Sequence, residues 1–391
     1  MPAPVTPRSA GTLQSTIWEH DSAWSAPAPM AGDMTCDVCV IGLGGSGLTA
    51  VRVLAQHGVA VIGIDAVDVG AGAAGRNGGL LLAGSADFHH HAVRRQGRDA
   101  AVTLYRRTLA ELDTVFAEHA DCTRRTGSLR IAASLAERDD CRAQLAQMQD
   151  DGLPAEWYSG AEGEGLLFPN DGVMQPLAHV RAMAHGAQSA GALLHGRTHV
   201  RAIRGDTVIT DRGMVRCARV IVAVDGRLEL VLPELAPRVR TARLQMLATA
   251  PATDVSVPRP VYWREGYEYW QQLPDGSIAL GGFRDTDVEN EWTHDTTPSA
   301  MIQARLEDFL RTHIRTSATI THRWAASVGY TTSGAPICEE VRDGVFAIGG
   351  YSGTGNIIGA LCARDAASWA LTAGYCGVKP PSVDEPSAGL A

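Results

Sequence analysis

A single lysine, Lys379, stands in the whole 391-residue chain; every other strongly basic side chain is an arginine. A lysine Schiff base or lysine general base in the body of the fold is therefore excluded. No run of about 18 apolar residues passes without charges or frequent glycine, which excludes a membrane-spanning helix. The N-terminal segment carries one early arginine, Arg8, with no apolar stretch behind it. It lacks the form of a secretory leader, so a cytosolic protein is expected. There is no excess of positive charge: Lys+Arg total 34 against Asp+Glu 43, a net charge of −9. Nucleic-acid binding, which needs a basic face, is excluded on that ground. Among the eight cysteines only Cys36 and Cys39 have a metal-like or redox-like spacing. They fall in a strand-like run, where residues three apart point to opposite faces, so no shared ion or disulfide is expected. No internal repeat or low-complexity array is present. Apolar residues at 45% and charged residues at 20% fit an ordinary globular chain, and its length fits two or three domains.

Residues 1–33 are rich in Pro, Ala and Ser and read as an extended arm lying over the surface. The pattern then changes. Cys36 to Ile41 is a short apolar strand, Gly42-Leu43-Gly44-Gly45-Ser46-Gly47 follows at once, and Leu48 to His57 has helical periodicity stopped by Gly58. Val59 to Ile64 is a second buried strand with Asp65 at its end. A glycine-rich run, Gly70 to Gly79, comes next. Residues 96–150 carry helical periodicity, residues 178–191 another helix, and Thr207–Thr210 and Val215 flank a hairpin turn. Val220 to Gly226 is a strand ending in small residues. Residues 240–285 alternate strand-like runs with turns, which predicts an antiparallel sheet. Val345 to Ile348 is a last strand, leading through Gly349-Gly350-Tyr351-Ser352-Gly353-Thr354-Gly355 into a final helix.

The first glycine motif is a solution to a phosphate problem. A diphosphate must meet backbone N–H groups at a helix N-terminus, and side chains would block it. Gly42 allows the tight turn, Gly44 the close approach, and Gly47 the packing of helix on strand, with Gly45 and Ser46 between them. Asp65, with Ala66 after it, stands where a carboxylate accepts from ribose hydroxyls. The motif follows a strand, opens a helix and ends on an acid, which marks dinucleotide binding. Three further features favour FAD over NAD: the segment through Ala74, Arg76, Asn77, Gly78 and Gly79; the strand closing on Ala223 and Gly226; and the late motif Gly350, Ser352, Gly353, Thr354, Gly355 and Asn356. A long flavin nucleotide needs a second backbone turn at its ring, where a helix N-terminus stabilises the reduced form.

With these motifs in this order the chain resembles the FAD-dependent amine and amino-acid oxidoreductases of the D-amino-acid oxidase superfamily. Glycine oxidase, sarcosine oxidase and γ-glutamylputrescine oxidoreductase belong to it. The resemblance runs over about residues 15–376 and rests most on Ala74 to Gly79 and Gly349 to Gly355. It implies an α/β fold: a Rossmann-like FAD-binding domain of the glutathione-reductase type with a second α+β substrate domain built on a mixed or antiparallel sheet. The expected division is an arm at 1–33, an FAD-binding unit at 34–95, 152–228 and 322–376, a substrate unit at 96–151 and 229–321, and a flexible tail at 377–391. By resemblance, Val200 supplies backbone contacts to adenine.

The departures from the family pattern carry the functional information. The resemblance places carboxylate-binding cations at Val328 and Ile357, both apolar here, which shifts weight toward amines without an adjacent carboxylate. Arg264 or Arg284, on another loop, is the remaining source of such a clamp. The cysteine and histidine that link flavin covalently in some relatives are absent at Val328 and Arg76-Asn77, implying non-covalent FAD. The lysine that speeds reaction with oxygen matches Ala279. The implied reaction is oxidation of a C–N bond of a small amine or amino acid to an imine. O2 serves as acceptor and gives H2O2; a dehydrogenase using another acceptor, and a flavoprotein subunit of a larger complex, stay open as alternatives. By the same resemblance Tyr269 contacts substrate, and Tyr267 and Arg264 stand beside it as further catalytic candidates. Strand alternation puts Tyr267 and Tyr269 on one face and Trp270 on the other. Phe88-His89-His90-His91 reads as a solvated turn, or as an edge of the active site, and no metal is expected.

Overall fold

Apolar strands that end in glycine-rich turns build a sheet whose C-terminal edges leave a crevice. The computed structural model describes residues 15–19 and 24–372. Met34–Ile41 pairs in parallel with Val61–Ile64 on one side and Met214–Val222 on the other. Leu193–His195 extends the sheet beyond Val61–Ile64, and Val345–Gly349 extends it beside Met214–Val222, both in parallel. Antiparallel strands at Val200–Arg204, Thr207–Thr210 and Ile337–Arg342 complete the eight. The parallel core is buried on both faces, which is why Val61–Ile64 and Val345–Gly349 read as continuous apolar runs. Helices Gly45–Gln56, Pro176–Ser189 and Ile358–Thr372 cover one face.

A second eight-stranded sheet runs in the order Ile320–Thr331, Val239–Pro251, Ser277–Gly281, Glu268–Gln272, Val261–Trp263, Ser128–Ile131, Gly163–Phe168 and Glu156–Gly160. It is antiparallel except where Val261–Trp263 meets Ser128–Ile131. Helix Ala300–Phe309 packs its Ile302, Leu306 and Phe309 on one face; the other face looks toward the first sheet's crevice. The α/β class with mixed sheets is therefore present as the sequence predicts.

Four expectations need correction. Helical periodicity over 96–150 hides a strand, Ser128–Ile131, between helices Arg98–Glu118 and Leu135–Asp150. Strands within 156–168, and Ile320–Thr331 at the start of the third segment, pair in the second sheet and not with the nucleotide-binding unit. Strand membership is decided by the partner strand, which a segment's own pattern does not state. Cys36 and Cys39 share one face with Cys217, because the N–H groups of Asp37 and Val38 both donate to Ala60 O and break the alternation. The three thiols pack in one apolar cluster. Finally, His89–Gln96 is a helix with His89 and His90 buried, so the histidine run is no solvated turn. His90 and His91 both bring Nε2 to Asp140 Oδ1, at 3.3 and 3.6 Å.

The arm does more than lie on the surface. Trp18 is fully buried, stacks edge-on with Trp324 at 6.5 Å and donates from Nε1 to Asn77 O at 3.0 Å. The proposed tail at 377–391 lies outside the described residues.

Candidate active site

A cavity of about 660 Å³ runs between the two sheets. At one end the turn after Met34–Ile41 opens helix Gly45–Gln56. Gly42 has φ +104°, and its carbonyl oxygen lies against Gly47, where any β-carbon would overlap it. The helix begins with no capping side chain and no acidic residue in its first turn. Its first N–H groups, with the positive end of the helix dipole, therefore face the cavity for an anion. A β-carbon at Gly45 would meet nothing within 4 Å, so the space in front of the turn is open. Asp65 stands beyond it, its Oδ2 accepting from the Leu43 N–H at 2.9 Å and its Oδ1 from the Val67 N–H at 2.8 Å. Burial raises its carboxyl, while these two donors oppose the shift.

At the other end the early and late glycine motifs meet. Asn77 Nδ2 donates to Asn356 Oδ1 at 3.2 Å and to the carbonyls of Ala73 and Ala74, and Asn356 Nδ2 donates to Leu80 O at 2.9 Å. Arg76 Nε donates to Ala325 O, and Trp324 Nε1 returns a bond to Arg76 O. Asp225 ties the third element in: its carboxylate accepts from the N–H groups of Tyr351 and Gly329. Burial pushes it up to about 6. Motifs 279 residues apart in sequence thus close one strip of backbone.

Opposite this strip stands a wall of phenols. Tyr269 packs against Gly78 and Gly281, where a β-carbon would touch its ring. Tyr262 lies 6.4 Å from Tyr269, centroid to centroid, and Tyr330 completes the set. Burial raises all three hydroxyls, Tyr330 to about 12, so they stay protonated as donors.

Residues 37–369 match the FAD dependent oxidoreductase family, DAO. The chain belongs to that family. Its relatives include the probable oxidoreductase OrdL of Rhizobium meliloti (strain 1021), 28% identical over 92% of this chain and 90% of that protein. Gamma-glutamylputrescine oxidoreductase of Escherichia coli (strain K12) is 26% identical over 82% of this chain and 80% of its own length. The same fold is found in L-proline dehydrogenase from P. horikoshii, with a TM-score of 0.73 at 18% identity over 88% of this chain and 95% of that one. Glycine oxidase from Geobacillus kaustophilus gives 0.71 at 20% identity over 86% and 95%.

The residues of this FAD-dependent oxidoreductase fit the cofactor: an anion seat at a helix N-terminus, an acid at the adenosine end, and a second backbone turn where the ring belongs. Of the cofactor residues expected from sequence, Gly47, Gly79, Val200 and Gly350 do not line the cavity; the others do. Gly47, Gly79 and Gly350 act from behind the wall, as close-approach or positive-φ positions. Val200 opens an edge strand, and it is the Thr198 N–H that reaches Asp65 O.

Among the catalytic candidates only Tyr269 stands where strand alternation puts it, with Trp270 in the core behind. Tyr267 lies just before its strand, in helical geometry, 43% exposed at the rim. Arg264 is not in the cavity lining. Its guanidinium is held by Glu268 and Asp285, with four bonds of 2.5–2.9 Å, in a turn where Arg264, Glu265 and Gly266 all have positive φ. It braces the rim. Tyr262, Tyr330 and Arg130 are functional candidates absent from the sequence expectations. The signal for Arg130 was a lone charge inside an apolar strand, Ser128-Leu129-Arg130-Ile131.

One buried acid in this lining makes stability depend on pH. Burial pushes Asp171 up to about 7, against hydrogen bonds from Ser128 Oγ and the Ala83 N–H that favour its ionised form. A raised carboxyl keeps its proton in the folded chain where the unfolded chain has lost it. Its contribution to stability is complete below about pH 4 and is lost as pH rises through about 7. The melting temperature of the wild type, relative to Asp171→Asn, is expected to be highest at about pH 4, to fall between about pH 4 and about pH 7, and to level off by about pH 8. A difference that grows with pH would contradict a carboxyl buried in its neutral form.

Proposed function

We propose that this protein oxidises the C–N bond of a small amine or amino acid to an imine, which water hydrolyses to a carbonyl and an amine. Bound FAD supplies the two-electron acceptor chemistry. The glycine turn at 42–47 and Asp65 hold its diphosphate and adenosine end; Arg76 to Gly78 and Ser352 to Asn356 frame its ring, non-covalently. The observation that carries the reading is the phenol wall of Tyr262, Tyr269 and Tyr330 facing that frame. Aromatic faces attract a cationic or polarised amine. The reactive form is the neutral amine, because a C–H bond yields its hydrogen with two electrons only when the nitrogen lone pair is free. No His–Asp catalytic pair is required if the amine reacts in that form and the wall orients its C–H toward the ring. The names of the relatives point the same way, toward an amine derivative in one case and amino acids in the others.

Reoxidation by O2 gives H2O2. A second acceptor is favoured by one observation: Ala279 is buried and apolar, and no lysine occurs among the described residues to stabilise superoxide. Mixing the yellow protein anaerobically with a panel of amines and amino acids is expected to bleach the flavin with at least one class. Admitting oxygen then reports the acceptor: rapid return of colour marks an oxidase, slow return a dehydrogenase. A panel that leaves the colour untouched throughout would sink the reading.

A further inference from the structure

We infer that the substrate carries a carboxylate at the end remote from its reacting C–N bond, and that Arg130 receives it. The inference rests on the proposed amine oxidation and names the substrate class for that site. Arg130, Tyr262 and Tyr269 occupy directly opposed positions on three neighbouring strands. Directly opposed residues share a face, so the three form a row across the sheet on the cavity side. The alternate residues Leu129 and Ile131 lie in the core on the far side. Tyr269, packed on Gly78, marks the end where the flavin ring is framed. Two strand spacings, roughly 10 Å, separate it from Arg130 in the backbone.

Arg130 is 6% exposed and lines the cavity. A guanidinium buried to that degree is normally paired with a carboxylate. Among the described residues this one forms no ion pair. Nη1 donates to Gln144 Oε1 at 3.0 Å and Nη2 to Ala86 O at 2.7 Å, both neutral acceptors, and the Phe88 ring covers one face at 4.2 Å. Its remaining N–H groups, Nε–H included, have no protein acceptor among the described residues. Asp171, a buried acid in the same cavity lining, is engaged by Ser128 and Ala83. A desolvated fork with open donors beside a cavity is complementary to a planar carboxylate. Apolar Val328 and Ile357 leave no comparable cation at the positions expected beside the ring. Charge recognition therefore sits one arm's length away from the chemistry.

The test compares matched probes on the holoenzyme. Anaerobic flavin bleaching is followed with 6-aminohexanoate and with hexylamine. The wild type is expected to reach half-saturation with the acid at a concentration lower by roughly ten- to a hundredfold, the range of a charge-assisted hydrogen-bonded pair. Arg130→Gln should bring that ratio near one, and Arg130→Lys should restore part of it. A ratio near one in the wild type, which needs no variant to fold, overturns the inference, as does an undiminished ratio in Arg130→Gln. If neither of these two amines bleaches the flavin, the proposed oxidation is judged on the full panel of amines and amino acids. The inference is then decided by hexanoate against hexanamide as probes of the oxidised flavin spectrum. A saturable change with the acid alone, lost in Arg130→Gln, supports it; no change with hexanoate overturns it.

Discussion

Gly47→Val is expected to purify as a colourless protein, where the wild type is expected to purify yellow with bound FAD. Gly47 sits in the first turn of helix Gly45–Gln56, directly over Gly42 O, and a β-carbon there would overlap that oxygen. The helix would have to move away from Met34–Ile41. The turn would open, and the N–H groups that receive the diphosphate would no longer converge on one point. Helix Pro176–Ser189 provides the control. Gly186→Ala has Arg52 Cδ as its nearest neighbour, at 3.7 Å, and gains helix propensity. It should keep full colour. The ratio of visible flavin absorbance to protein absorbance, with uptake of added FAD, reads both variants. A yellow Gly47→Val would mean that the diphosphate lies somewhere other than at this turn.

That turn was legible from sequence because its chemistry is local. Glycine spacing, the strand before it and the acid after it all lie within about thirty residues, and each has one physical reading. The late motif was legible for the same reason. What sequence did not disclose was juxtaposition across strands. Tyr262 reached the cavity because it is opposed to Tyr269, and Arg130 because a four-residue strand in a helical neighbourhood pairs with Val261–Trp263. Tyr267, two residues from Tyr269, shared its face only on the assumption of a continuous strand; the positive-φ turn at 264–266 ends that continuity. Arg264 shows the limit from the opposite side. A cation beside the substrate tyrosine was a reasonable ligand for an anion, but two carboxylates from elsewhere in the chain already hold it. The Asp37/Val38 bulge reversed a parity argument in the same way. In each case the local rule was sound, and a non-local partner decided the outcome.

The same dependence on distant partners sets the largest expected loss of stability. Glu291 is fully buried, and its carboxylate accepts from Arg243 Nε at 3.0 Å and Nη2 at 2.7 Å and from Gln245 Nε2 at 2.8 and 2.9 Å. Arg243 and Gln245 alternate on strand Val239–Pro251 with Leu244 and Met246, which line the cavity. The ion pair thus anchors, from behind, the strand that carries part of the substrate wall. Glu291→Ala leaves the Arg243 guanidinium buried without its counter-charge, a loss of about 3–5 kcal/mol. For a chain of 391 residues that corresponds to a fall of about 4–6 °C in melting temperature. Removing the cation as well should reverse much of it: Arg243→Met with Glu291→Ala eliminates the unpaired charge and fills the space with apolar atoms. The double variant is therefore expected to melt above the single one, the opposite of additive damage. Melting curves of the three flavin-loaded proteins decide the point. A Glu291→Ala protein as stable as the wild type would show that water reaches Arg243, and that the strand behind the phenol wall is held by its sheet partners alone.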